Sequence, residues 1–97
     1  MPRVLLEPEA EREFRAAAQW YGERTASLAE AFRDAVDTTL NSIEQSPARY
    51  PIALRDIRKA RVHRFPFVVY FVVLARAVVV IAIMHGRRNP ALWQTRR

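Results

Sequence analysis

Residues Arg64–Arg88, RFPFVVYFVVLARAVVVIAIMHGRR, decide the fold. From Phe65 to Met84 the run is twenty residues long and apolar apart from Arg76, enough to cross a bilayer as a helix. Its composition favours strands. Val68, Val69, Val72, Val73, Val78, Val79, Val80, Ile81 and Ile83 make it β-branched, and Pro66 suits a strand start but not a helix interior. Arg76 divides it into Phe67–Leu74 and Ala77–Met84, two pieces of ordinary strand length. The linking segment Leu74–Ala77, LARA, has no Gly, Asn or Asp to take a positive φ, so the type of turn stays open.

Working outward, Arg3–Leu6 reads as a short strand. Pro8 then opens a helix whose early Glu9, Glu11 and Glu13 suit its positive end. Ala10, Phe14, Ala17 and Tyr21 form its apolar stripe, and Gly22 is expected to end it. A second helix is expected from Ser27, with Glu30 completing a capping box, and runs to about Gln45 through Leu28, Phe32, Val36, Leu40 and Ile43. SPARYP, Ser46–Pro51, stops it with two prolines. Ile57–Arg64 is expected as the strand that leads into the valine-rich pair. After Met84, Asn89 caps one helical turn begun by Pro90 and brings Trp93 toward the sheet.

The predicted architecture is α+β. An N-terminal strand and an antiparallel helical hairpin pack on a mainly antiparallel sheet that ends in a three-strand meander and a short C-terminal helical turn. The chain of 97 residues is expected to form one domain over residues 1–97. The two central strands are apolar at both parities, whereas a sheet with one wet face alternates. The second face therefore needs a cover, and a partner protein is the expected one.

Charge is distributed unevenly. Residues 1–50 hold six Arg against nine Asp or Glu, a balance of −3, and residues 51–97 hold nine Arg and one Lys against one Asp, a balance of +9. The basic half suits an acidic partner; the alternative is that its arginines keep a valine-rich sheet soluble and its edges apart. With no cysteine and an N-terminus that turns acidic at Glu7, a cytoplasmic protein is expected rather than a secreted one.

Two histidines, no cysteine and one late acid leave no expected metal site, and two glycines leave no phosphate loop, so no cofactor is expected. What remains is a basic group: Arg58, Lys59, Arg61, His63 and Arg64, then His85, Arg87 and Arg88, with Tyr70 between. Metal-free RNA cleavage needs an acid, a base and cations around the phosphorane, which Arg61, Tyr70, His85 and Arg88 could supply. Taken singly, His85 reads as a strand end and Tyr70 as core, whereas Arg87 and Arg88 read as a binding pair in a loop.

The order of elements, with SPARYP closing the hairpin, RFPFVVY entering the central strand and AIMHGRRNPALW leaving the last, resembles the RelE/ParE superfamily of bacterial toxin–antitoxin modules. The resemblance spans essentially the whole chain and rests most on Arg64–Tyr70 and His85–Pro90. It implies a small toxin held by an antitoxin, for which Phe14, Trp20, Val68, Tyr70 and Val72 are the expected contacts. Arg88 matches the arginine that RelE-like members carry after the last strand, and Lys59 and Arg61 lie near their strand lysines. Phe67 stands where those members place a catalytic arginine, and Trp93 replaces a C-terminal tyrosine or histidine, which favours the ParE-like branch. That branch implies poisoning of DNA gyrase through Arg61, Arg64, Arg87, Arg88 and Trp93. The alternatives are a RelE-like interferase cutting mRNA on the ribosome, and an antitoxin-binding module whose toxicity has decayed. No membrane partner is implied.

Overall fold

The computed structural model describes residues 3–97. Strand β1 (Arg3–Leu6) is followed by helices α1 (Pro8–Arg24) and α2 (Ala26–Gln45), a 3-10 turn at Pro47–Arg49, strands β2 (Ile52–Leu54), β3 (Ile57–Arg61), β4 (Phe67–Val73) and β5 (Ala77–His85), and the short helix α3 (Ala91–Gln94). The sheet runs β1-β5-β4-β3-β2, with β1 parallel to β5 and every other neighbour antiparallel. It is thus α+β and mainly antiparallel, as expected. The meander has four strands rather than three, because Ile52 and Leu54 pair back onto β3 through a turn in which Arg55 takes φ 51°. Three residues with no alternation left no trace of a strand in the sequence.

The helical hairpin is tighter than its sequence suggests. Gly22 does not end α1, which continues to Arg24. A Cβ at Gly22 would lie 3.2 Å from that of Ala29, so this glycine sets how closely the helices approach. Helix α2 starts at Ala26, not Ser27, and the Ser27–Glu30 capping box does not form. One extended residue, Thr25, serves both helices. Its N–H bonds the Tyr21 carbonyl at 3.0 Å, and its carbonyl accepts the Leu28 N–H at 2.9 Å. The buried residues of α2, Ala29, Phe32, Val36, Thr39 and Ile43, recur every three or four positions, and the Thr39 hydroxyl donates to the Ala35 carbonyl at 2.9 Å. SPARYP is tied down by Arg58, which donates to the carbonyls of Tyr50 at 2.6 Å and Ala48 at 3.2 Å.

Strand β3 stops at Arg61 rather than Arg64. The chain turns at Val62–Pro66, where Arg64 takes φ 73° and the Val62 N–H bonds the Phe67 carbonyl at 2.9 Å. The Leu74–Ala77 turn left open by its composition is closed by the Leu74 N–H on the Ala77 carbonyl at 2.8 Å, and neither residue of its tip has a positive φ.

Both faces of the sheet are covered. Val69, Phe71, Val78, Val80 and Ile83 pack beneath the helices, while Ile57, Tyr70, Val72, Ile81, Ala82 and Met84 form a second cluster with Trp93. A bulge makes this possible: Tyr70 faces Ala82 and Phe71 faces Val80, so Ile81 is an extra residue that turns β5 over midway. The second face does not depend on a partner to be buried. Trp93 stacks on Tyr70 with ring centroids 4.2 Å apart, and the two side chains are 6% and 7% exposed. The expected single turn covers more of this face than anticipated, because the bulge and the Tyr70 stack bring Trp93 down onto the whole cluster.

The C-terminal tail is held by charge. Arg96 makes a two-pronged contact with Glu13, at 2.9 and 2.8 Å, and donates to the Ile81 carbonyl at 3.0 Å, while Glu13 accepts the Ile83 N–H at 3.0 Å. The ion pair thereby satisfies the edge of β5 where β1 has ended. Arg97 binds the Asp56 carboxylate at 2.7 Å, and Arg55 donates to the Gln94 carbonyl at 3.2 Å. The hydrogen bond from Arg97 holds the Asp56 carboxyl below its ordinary 3.8. A depressed acid contributes stability above its unfolded pKa and loses it as pH falls through the folded one. Hydrogen exchange in the tail amides is therefore expected to rise, relative to those of β4, as pH drops below about 4. Asp56→Asn should remove this pH dependence; an unchanged profile in that variant would discard the assignment.

Candidate functional site

The C-terminal end of β3, the turn that follows it and the loop that leaves β5 meet at one end of the sheet. On β3, Lys59 and Arg61 share the parity of Ile57 and lie opposite Tyr70 and Val68 of β4. The Val62–Pro66 turn brings Arg64 alongside, its left-handed backbone being unusual for a residue with a side chain. His85 ends β5 opposite Phe67, and the two rings lie 5.8 Å apart. The loop beyond is pinned by the Gly86 N–H on the Pro66 carbonyl at 2.9 Å and the Arg88 N–H on the His85 carbonyl at 3.0 Å.

Between these segments lies an open cleft of about 610 Å³, lined by Lys59, Arg61, Arg64, Tyr70, His85 and Arg87 over Phe65, Pro66, Phe67 and Val68. Four cations converge there and no carboxylate lines it. None of the ion pairs among the described residues uses any of the four. Two other hollows differ in charge. One between β1 and α2 includes Asp37 and Glu44, and one between α1 and α3 balances Glu7 and Glu9 against Arg12 and Arg96.

Two groups of the cleft carry protons in defined ways. Burial pushes the Tyr70 phenol above its ordinary range, an effect the Trp93 indole partly offsets. The phenol is accordingly neutral at physiological pH. His85 accepts the Arg87 N–H through Nδ1 at 3.0 Å, which places the proton of the neutral ring on Nε2. The nitrogen left free is then a donor. The cleft offers cations and hydrogen-bond donors to an anion, while a base for proton abstraction would require His85 to give up its bond to Arg87.

The structure thus brings Arg61, Arg64, Tyr70, His85 and Arg87 together, and leaves Arg88 in the adjoining loop, outside the lining. Trp93, expected as an aromatic anchor for the target, is instead buried behind Tyr70, because the second face needs it. Of the expected antitoxin contacts, Tyr70 and Val72 are buried in the second cluster, Val68 is half-buried beside it, and Phe14 packs 5.9 Å from Phe32. Trp20 alone of the five is open, at 51% exposure, with the Arg24 guanidinium 3.4 Å above its ring. The pairing of Glu13 with Arg96 was not foreseen, since nothing in a single sequence links charges 83 positions apart.

No group of three His, Asp or Glu side chains among the described residues is clustered for a metal ion. No helix among them is long and apolar enough to cross a membrane.

Residues 4–90 match the family described as the ParE toxin of type II toxin-antitoxin system, parDE. Among solved structures, a chain of the chromosomal ParDE TA system from P. aeruginosa superposes with a TM-score of 0.76 at 18% identity, over 88% of this chain and 96% of that one. At that identity the likeness speaks for the fold. No curated protein matches in sequence.

Proposed function

We propose, because the chain belongs to the ParE toxin family of type II toxin–antitoxin systems, that it arrests bacterial growth by poisoning DNA gyrase and is neutralised by a cognate antitoxin. The observation that supports gyrase over RNA cleavage is the make-up of the cleft, with four cations, a buried neutral phenol and a histidine whose free nitrogen bears the proton. Cleavage of RNA requires a base and an acid set for proton transfer, whereas inhibition of a large enzyme requires only a complementary surface. One observation favours the interferase as a second reading: Arg61, Tyr70 and His85 line the same cleft. Either target would be met in the cytoplasm.

The test is to assay one toxin preparation, shown to be reversed by antitoxin, against gyrase supercoiling and against ribosome-bound mRNA. Loss of supercoiling or trapping of gyrase-cut DNA, with mRNA intact, is expected. Codon-positioned mRNA cuts with normal gyrase activity would overturn the proposal and make Arg61, His85 and Arg88 catalytic candidates. Absence of growth arrest on overproduction would point to decayed toxicity. Arg87→Ala with Arg88→Ala is expected to weaken killing by ten-fold or more at an unchanged circular dichroism spectrum, because exposed loop arginines contribute little to packing.

A further inference from the structure

We infer that the basic cleft binds the backbone of duplex DNA, so that the toxin itself grips nucleic acid. The make-up of the cleft suits nucleic acid as well as the protein that holds it. Protein interfaces combine arginine with aromatic anchors set in desolvated pockets; here the arginines are present but the one aromatic residue of the C-terminal segment, Trp93, is turned away and buried. The recognition of single-stranded RNA relies on open aromatic rings on which bases stack. In the cleft Phe65 and Phe67 are half-buried and Tyr70 is sealed beneath Trp93.

What the cleft does present is charge. Lys59, Arg61, Arg64 and Arg87 are exposed, and none is neutralised by an acid. Arg15, Arg96 and Arg97 are each paired with a carboxylate and Arg58 is bound to backbone carbonyls, whereas the cations of the cleft are both unpaired and gathered in one place. Cations held on a strand, a pinned turn and a pinned loop, with no stacking platform, have the properties of phosphate contacts that position a duplex without reading its sequence. The inference rests on the gyrase proposal only for where the DNA is met, namely in the DNA that gyrase holds.

Four phosphate contacts predict a log–log salt slope of about −3.6, an affinity loss of roughly 150-fold between about 50 and 200 mM salt. The experiment is fluorescence anisotropy of the purified full chain with a labelled mixed-sequence duplex of about 20 base pairs, beside single-stranded RNA of equal length. Arg61→Gln and Arg87→Gln are each expected to reduce the slope by about one, and together to weaken binding ten-fold or more. Arg15→Gln makes the same change of charge on α1, outside the cleft lining, and should leave binding within two-fold, which separates a cleft from diffuse attraction by a basic protein. Circular dichroism confirms folding, and Arg61→Lys should restore most of the affinity if charge is the agent. Equal losses from Arg15→Gln and the cleft variants, tighter binding of RNA than of duplex, or no duplex binding at about 50 mM salt would each overturn the inference. Duplex binding by a protein that leaves gyrase unaffected would overturn the gyrase proposal and leave this one standing.

Discussion

Truncating Trp93 to alanine is expected to lower the stability of the chain by about 3 kcal/mol or more, within the range for removal of a large buried aromatic. In a chain of 97 residues this corresponds to a fall in melting temperature of roughly 12–25 °C. The indole is 6% exposed and stacked on Tyr70, so its loss opens Ile81, Ala82 and Met84 to water as well as removing its own contacts. A second reading of the same experiment is dye binding: the variant should bind an apolar fluorophore that the parent does not. Trp93→Phe should recover part of the loss, since a ring still reaches Tyr70. A shift of only a few degrees with no dye binding would mean that α3 contributes nothing to the fold.

An effect at least as large is expected beneath the helices. Phe32 has no exposed surface, and its ring lies 5.2 Å from Tyr21, 5.2 Å from Phe65 and 5.1 Å from Phe67. Phe32→Ala should cost about 3–5 kcal/mol, because these rings sit on α1, on the turn before β4 and on β4 itself and cannot all close on one hole. The midpoint of urea unfolding reports the loss, and Phe32→Leu should cost distinctly less. The same variant bears on the cleft. Phe65 and Phe67 form part of its floor, so anion binding should weaken along with stability, although Phe32 carries no charge and does not line it. Stability close to that of the parent would show that the aromatic cluster is loosely packed in solution.

What could be read from the sequence follows from the range over which each signal acts. The valine-rich strands, the break at Arg76, the register of apolar residues along α2 and the capping of α3 by Asn89 are local, and each was legible. Asn89 does accept the Ala91 N–H through its side chain, at 3.0 Å. Features that depend on distant partners were not. Gly22 resembles a helix end until Ala29 is seen against it, and β2 is a strand only because β3 lies beside it. The bulge at Ile81 is silent in a run that is apolar at every position, since a shift of parity changes no residue type. The cleft was half legible: its cations stood out by number, but which of them lack partners depended on Arg58 bonding Tyr50 and on Arg96 and Arg97 reaching Glu13 and Asp56. Trp93 was correctly brought to the sheet, and its burial there removed it from the surface on which it had been expected to act.

The parallel pairing of β1 with β5 joins Arg3 to Ala77, so residues 74 positions apart must meet before the edge of the sheet can form. During translation the first strand to be made therefore waits for nearly the last. At about 5–20 residues per second, that wait is on the order of 4–15 s. For this interval α1 and α2 can pair locally, but β4 has only β3 beside it, and neither His85 nor Arg87 yet exists to complete the cleft. Contacts of such long range are also the slowest to form once the chain is free. A chain terminated before β5 lacks the central strand pair and the assembled basic surface. The order of synthesis thus makes the basic surface a property of the finished chain alone.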